Sequence, residues 1–264
     1  MNDLELYFEN NTEREITKWM HYFDVYDRHF SRFRNKEVVI VEIGVFRGGS
    51  LQMWKHYFGS NAKIYGIDIN PDCKDFEEDN IEILIGSQSD RQFLKELITK
   101  IPQIDILIDD GGHEMDQQII TFEELFGHIK ENGVYLCEDT HTSYWKYYRG
   151  GYKKKGTFME YTKGLIDSLN AYHSRNKRLP VSDFTRTAGS IHFYDSIVVV
   201  EKQKRDTPPY SKVTGRETME IPVPEDSLEN LLTKRFGNTI LFKAVKKGFI
   251  GDIVRRIKSK QAKK

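Results

Sequence analysis

The feature that most restricts how this chain can fold is an alternation that begins at Val38. Apolar runs of strand length, at residues 38–41, 63–67, 81–85, 104–108 and 133–137, are separated by segments of helical period, among them 51–58, 91–99 and 117–130. Runs that are apolar at nearly every position suit strands buried on both faces. At roughly 20–25 residues per strand–helix unit, the connections are long enough for crossover helices. The predicted fold class is therefore α/β: a Rossmann-like, doubly wound, mostly parallel sheet with helices on both faces. Residues 191–194 and 196–201, parted by a tight turn at Asp195, predict an antiparallel closing strand pair at one sheet edge.

Around that domain, expected over 38–202, the composition changes. Residues 1–37 are rich in aromatics and have helical spacing from about Glu15, which predicts a helical N-terminal segment. Residues 143–190 form an insertion before the closing pair, with a helical stretch at 158–174. Residues 203–233, with Pro208, Pro209, Pro222 and Pro224 among charges, predict a linker. The last segment, 234–264, holds eleven Lys and Arg and one Asp, leaving 29 basic against 39 acidic side chains on the rest. An acidic body argues against nucleic-acid binding. The tail places Ile250, Ile253, Val254 and Ile257 beside Arg255, Arg256, Lys258 and Lys260. That amphipathic pattern suits a solvated helix, or a peripheral contact with an anionic membrane or a partner. Two cysteines, Cys73 and Cys137, make no disulfide framework or zinc spacing, and the longest apolar runs are four residues. A cytoplasmic protein without a leader or spanning segment is expected, and a homo-oligomer is carried as a further expectation.

In an open parallel sheet, ligands bind beyond the carboxyl ends of the strands, and the polar residues of this chain collect there. The first strand ends in Glu42-Ile-Gly44-Val-Phe-Arg-Gly48-Gly49-Ser50. Its glycines permit a tight turn and close approach of a ligand, but their spacing departs from the G-x-G-x-x-G of dinucleotide sites. An acid two residues before the first glycine better suits a ligand bearing an amino acid. Asp68, 24 residues beyond Gly44, is positioned to accept hydrogen bonds from a ribose diol. Ser87 and Gln88 stand where an adenine edge would lie. Together these residues predict a nucleoside-binding site.

With those residues in place, 38–140 resemble a class I S-adenosylmethionine-dependent methyltransferase, with Glu42-Ile-Gly44 and Gly48 as the first motif and Asp68 as the ribose acid. More narrowly, Asp109-Asp110-Gly111-Gly112-His113 and Glu138-Asp139 resemble the metal-dependent O-methyltransferases of macrolide sugars and their relatives near the cephalosporin hydroxylase group. The likeness covers about 170 residues and extends to the closing strands at 191–202. It implies S-adenosylmethionine bound by Glu42, Gly44, Gly48, Ser50, Asp68, Ser87, Gln88 and Asp109. It also implies a metal on Asp110, Glu138 and Asp139, with His113 as the base.

Three carboxylates are hard oxygen ligands, so Mg²⁺ or another hard divalent cation is expected rather than zinc. Such an ion acidifies an alcohol, and an imidazole can then take its proton. The implied reaction is O-methylation of a sugar hydroxyl in a nucleotide-linked, polysaccharide or natural-product precursor. Other readings stay open at this point. The acceptor could be phosphorylated or phenolic, Asp110 and Asp139 could cap helices, and the chain could be a ligand-binding scaffold without catalysis. His141, Tyr144 and Trp145 follow Asp139 closely enough to flank the acceptor, whereas Tyr22 and Tyr26 better suit packing on the sheet.

Overall fold

The computed structural model describes residues 1–215, of which Met1–Tyr210 form one compact unit. Its strands are β1 (Val38–Ile43), β2 (Ala62–Asp68), β3 (Ile81–Ile85), β4 (Ile104–Asp109), β5 (Ile129–Cys137), β6 (Ala188–Phe193) and β7 (Val198–Lys202). They form one sheet in the order β3-β2-β1-β4-β5-β7-β6. The first five pair in parallel, and β7 runs antiparallel to both β5 and β6. The doubly wound sheet and its closing hairpin thus stand where the apolar runs predicted them.

Helices α1 (Asp3–Glu9), α2 (Tyr22–Phe30) and α3 (Gly49–Phe58) cover one face, and α4 (Arg91–Lys100), α5 (Met115–Leu125) and α6 (Phe158–Leu169) cover the other. A short α7 (Asp183–Thr187) precedes β6. Strand side chains alternate between the two cores, because successive Cβ atoms point to opposite faces. Ile40, Ile106, Ile108, Val134 and Leu136 meet Tyr26, Phe30 and Trp54 on the first face. Val41, Leu107, Tyr135 and Cys137 meet Leu94, Phe122 and Leu125 on the second.

Three expectations are corrected, the first being the helical stretch at 158–174, which ends at Leu169 and is followed by a 3-10 turn at Ala171–His173. The helix predicted to run on to Lys130 stops at Leu125; a 3-10 turn follows at Phe126–His128, and Lys130 already belongs to β5. The helix expected from about Glu15 begins only at Tyr22. Residues 11–21 instead form a strap, bent at 13–14 and turning at 20–21, in which Arg14, Ile16 and Lys18 are inward while Glu15, Thr17 and Trp19 are exposed. Arg14 anchors the strap by donating to the Phe76 carbonyl at 2.9 Å and pairing with Glu78 at 3.5 Å. A Cβ on Gly49 would lie 2.4 Å from the Glu15 carbonyl oxygen, so the strap passes this closely only over a glycine. The end of the predicted linker and the basic tail, from residue 216 onward, lie outside the described residues.

The closing hairpin is tied to α2 through His29. Its Nδ1 lies 2.6 Å from Glu201 Oε1 and its Nε2 2.9 Å from the Tyr194 hydroxyl, while Arg32 donates to the same Glu201 oxygen at 3.2 Å. Ligand atoms of His29, His192 and Glu201 fall within 4.8 Å of one another. Both His29 nitrogens and the Glu201 carboxylate are nevertheless already engaged, so the trio is a structural tie.

Burial holds the His29 imidazole below the usual histidine range, outweighing the opposing pull of Glu201. The unfolded chain therefore takes up a proton near pH ~6.5, where the folded one does not, and stability falls as pH drops below that point. His29→Gln is expected to flatten the slope of Tm against pH between about 6.5 and 5, measured by thermal melting across that range; an unchanged slope contradicts the assignment. A second prediction concerns the contact of β1 with β4. Gly44 has φ of +96°, and a Cβ there would lie 2.0 Å from the Asp110 carbonyl oxygen. Gly44→Ala is expected to cost about 2–4 kcal/mol in denaturant unfolding.

Candidate active site

The strand order reverses direction between β1 and β4, which opens a crevice at their carboxyl ends. A cavity of about 590 Å³ lies over it, lined by Gly44, Asp68, Ser87, Gln88 and Asp110 among others. A second, of about 280 Å³, is lined by Lys18, Gly44, Ser50, Asp110, His113 and Asp139. Both cavities touch Gly44, Phe46, Asp110 and Gly111. This size and lining suit a bipartite ligand with its nucleoside in the larger chamber and its reactive end in the smaller.

Of the residues expected at a cofactor, Gly44, Ser50, Asp68, Ser87 and Gln88 line these cavities, while Gly48, Glu42 and Asp109 do not. Gly48 caps α3 with φ of +73°. Asp68 holds the first loop, accepting from the Val45 and Phe46 amides at 2.9 and 3.2 Å through Oδ2. Its Oδ1, which accepts from the Asn70 amide at 2.9 Å, keeps a lone pair for a ligand hydroxyl. The Gln88 amide is taken up by Asp109, Thr121 and the Gly112 N–H, so it shapes the Gly111-Gly112 loop.

Strand alternation explains the displaced acids. Glu42 follows Ile40, Asp110 follows Ile108 and Glu138 follows Leu136, so all three turn toward the face of the N-terminal helices. Asp109 turns to the opposite face, fully buried against Gln88 and Tyr135, and burial pushes its carboxyl up to about 7. Glu42 is likewise beneath the cavity floor, accepting from Ser50 Oγ at 2.8 Å. Burial raises it to about 7 as well, with Lys18 pulling the other way.

The strap delivers Lys18 into the three acids on the shared face. Its Nζ donates to Asp110 Oδ2 and, at 2.8 Å, to Glu138 Oε2, and lies 3.9 Å from Glu42 Oε1. Burial works against the ammonium charge, but Asp110, Glu138 and Glu42 outweigh it and hold Lys18 well above the ordinary lysine range. Glu138 is raised by burial and by the neighbouring Asp110. Sequence reasoning misses Lys18; the alternation of Arg14, Ile16 and Lys18 is the signal that marks it.

His113 and Asp139 complete the site, both with left-handed backbones, at φ of 56° and 52°. His113 Nε2 faces Asp139 Oδ2 at 3.5 Å and Asp110 Oδ1 at 4.0 Å. The Tyr22 hydroxyl donates to Asp139 Oδ1 at 2.6 Å and accepts from the Asp139 amide at 3.3 Å, fixing that residue at both ends. Burial and Asp139 together raise the Tyr22 phenol. Gln118 donates to the Glu138 carbonyl at 3.2 Å. Outside these acids stands an aromatic wall: the His141 ring lies 6.0 Å from that of Trp19 and 4.6 Å from that of Trp145, and both tryptophans are half exposed.

Ligand atoms of Asp110, His113 and Asp139 come within 4.8 Å of one another, while the Glu138 carboxylate is turned toward Lys18. Oε1 of Glu138 is buried with only a weak contact from the Tyr26 hydroxyl. The carboxylates of Asp110, Glu138 and Asp139 form a hard donor set that fits a divalent cation such as Mg²⁺.

Residues 41–140 match a family described as "Methyltransferase domain". The chain is 38% identical over 192 residues to the 8-demethyl-8-alpha-L-rhamnosyl tetracenomycin-C 2'-O-methyltransferase of Streptomyces olivaceus, covering 69% of this chain and 50% of that one. It is 37% identical to the demethylmacrocin O-methyltransferase of Streptomyces fradiae, over 72% of this chain and 52% of the relative. The chain thus spans about half the length of the curated relatives it matches. Among solved structures, the MycE methyltransferase from the mycinamycin biosynthetic pathway, in complex with Mg, SAH and mycinamycin VI, superposes with a TM-score of 0.72 at 30% identity, over 89% of this chain and 59% of that one. Residues 41–140 thus match a methyltransferase-domain family, and the chain is similar in sequence and fold to the macrolide-sugar O-methyltransferases.

Proposed function

We propose that this protein is an S-adenosylmethionine- and divalent-metal-dependent O-methyltransferase acting on a sugar hydroxyl of a small natural-product, nucleotide-linked or polysaccharide precursor. The observation that carries the proposal is the junction of the two cavities at Gly44 and Asp110, which sets a nucleoside-sized chamber directly against Asp110, His113 and Asp139. The activities of the relatives, O-methylation of rhamnosyl tetracenomycin C and of mycinamicin VI, support the acceptor class.

In this reading the larger chamber takes the adenosine, with Asp68 Oδ1 and Ser87 toward the ribose and base. Glycine at position 44 lets the Asp110 backbone pass close, which keeps the two chambers adjacent. The methionine part runs toward Ser50 in the smaller chamber, which brings the sulfonium methyl to the side of the site that His113 faces. Asp110, Glu138 and Asp139 are the residues that would hold the cation, which supplies the Lewis acidity that makes an alcohol easier to deprotonate. His113 Nε2 takes the hydroxyl proton, and Asp139 Oδ2 at 3.5 Å stabilises the resulting imidazolium. The acceptor oxygen then bonds to the methyl carbon as the carbon–sulfur bond breaks, leaving S-adenosylhomocysteine. Most of the acceleration comes from alignment and from charge already in place.

Trp19, His141 and Trp145 give the acceptor an aromatic wall, suited to the apolar face of a pyranose ring, with Tyr144 also half exposed nearby in sequence. Tyr148 lies beside His113 and Trp145 beside His141, which supports placing acceptor choice in residues 143–190. The buried, unpaired Cys73 and Cys137 support a reducing, cytoplasmic setting, and no described helix is long and apolar enough to cross a membrane. A homo-oligomer, and a membrane or partner contact through 234–264, complete the proposal.

The test begins with calorimetric titration of S-adenosylhomocysteine, with and without Mg²⁺, followed by methyl transfer to a panel of sugar-bearing acceptors. His113→Ala is expected to keep the S-adenosylhomocysteine affinity while turnover drops about 10²–10⁴-fold. A wild-type rate in that variant removes His113 as the base, and absence of cofactor binding by the wild type removes the transferase reading itself.

A further inference from the structure

We propose that Lys18 is a resident counter-ion of the carboxylate site and that it and the divalent cation are alternative occupants of the same bay. This inference rests on the metal-dependent reading above and specifies what controls loading of that site. Nζ lies between Asp110 Oδ2 and Glu138 Oε2, in hydrogen-bond contact with both. A cation held by Asp110 and Glu138 would compete with Nζ for their oxygens, and two positive charges at such short range would repel. The Lys18 side chain is 3% exposed, so it is a built part of the site.

The charge count points the same way. One ammonium faces Asp110, Glu138 and Glu42, and Oε1 of Glu138 and of Glu42 has besides it only the weak company of the Tyr26 hydroxyl and the Trp54 Nε1–H. Lys18 therefore compensates the cluster only in part, and a divalent cation would do so more fully. Buried charge of one sign without a partner is strongly unfavourable, so arrival of the ion displaces the lysine and its departure draws the lysine back in.

The strap can yield. Outside the bay its polar ties are three: Arg14, part-buried, on the Phe76 carbonyl and Glu78, Glu15 facing Arg47 at 3.9 Å, and His21 on the Asp195 carbonyl at 3.1 Å. Trp19 follows Lys18 directly and stands in the aromatic wall beside His141. Displacement of Lys18 moves Trp19 with it, so cation loading and the shape of the acceptor wall are linked through one peptide unit.

The experiment is equilibrium binding of Mn²⁺ to the full chain, followed by electron paramagnetic resonance of the free ion. Wild type is compared with Lys18→Met, which keeps the apolar stem and removes the charge, and with Arg14→Ala, which loosens the strap outside the site. Lys18→Met is expected to bind Mn²⁺ at least tenfold more tightly, and Arg14→Ala to shift in the same direction by a smaller factor. Equal or weaker binding by Lys18→Met overturns the proposal while leaving the metal site intact. If Lys18→Met does not fold, Arg14→Ala decides alone: tighter binding supports the proposal and unchanged binding overturns it. If wild type and both variants bind no Mn²⁺, the metal-dependent reading fails and this inference falls with it, whereas S-adenosylhomocysteine binding by the same samples keeps the cofactor reading standing.

Discussion

Concentrated negative charge at the carboxyl ends of three adjacent strands is the constraint on which the rest of this structure depends. Glu42, Asp110 and Glu138 share a face because each continues the alternation of its strand, and Glu42 and Glu138 are almost wholly buried. A buried ion without a partner costs several kcal/mol even after relaxation, so these acids must either hold protons, as burial favours for Glu42 and Glu138, or be met by a cation. The N-terminal segment meets that requirement. It leaves α1, crosses the start of α3 over Gly49, and inserts Lys18 among the acids before α2 begins. Residues 1–37 are thus one wall of the site as well as a cover for the sheet.

The second constraint is the neighbourhood of β1 and β4. Their parallel register puts Ile43 opposite Asp109, and the Asp110 amide donates to the Ile43 carbonyl at 2.9 Å. The two loops that follow must then separate within one residue of each other, which only a glycine at position 44 allows. The nucleoside chamber and the carboxylate site are brought together by this contact. The proposed methyl transfer would use that arrangement, with donor and acceptor held on opposite sides of one fixed backbone junction.

Much of this was legible in the sequence because it is local. Each strand was visible as an apolar run, and the site acids were visible as the polar residues that end those runs. The division of labour between Asp109 and Asp110 follows from a rule as simple as alternation by two. Ile106 and Ile108 point to one core, so Asp110 joins their face while Asp109 joins that of Leu107. The strap was not legible. Glu15, Trp19, Tyr22 and Tyr26 recur at helical spacing, and that pattern masked the alternation of Arg14, Ile16 and Lys18. What decides between the two is tertiary: the pull of Asp110, 92 residues away, and of Glu138, 120 residues away, on one ammonium group. No local period encodes an attraction of that range.

Alternation within the strap also bears on how the acceptor is recognised. In extended backbone, neighbouring side chains point to opposite sides, so a segment that buries Lys18 must expose Trp19. The tryptophan is 55% exposed and stands beside His141, which in turn meets Trp145, from the insertion that follows β5. The aromatic wall, against which the proposed acceptor would lie, is therefore assembled from two segments remote in sequence, and Lys18 in the ion pair directly precedes its N-terminal member. A sugar lying against this wall would sense the carboxylate site twice, through the oxygen it presents to His113 and Asp139 and through the position of Trp19. Acceptor fit and charge balance in the site are in that sense one structural problem, solved by the same two consecutive residues.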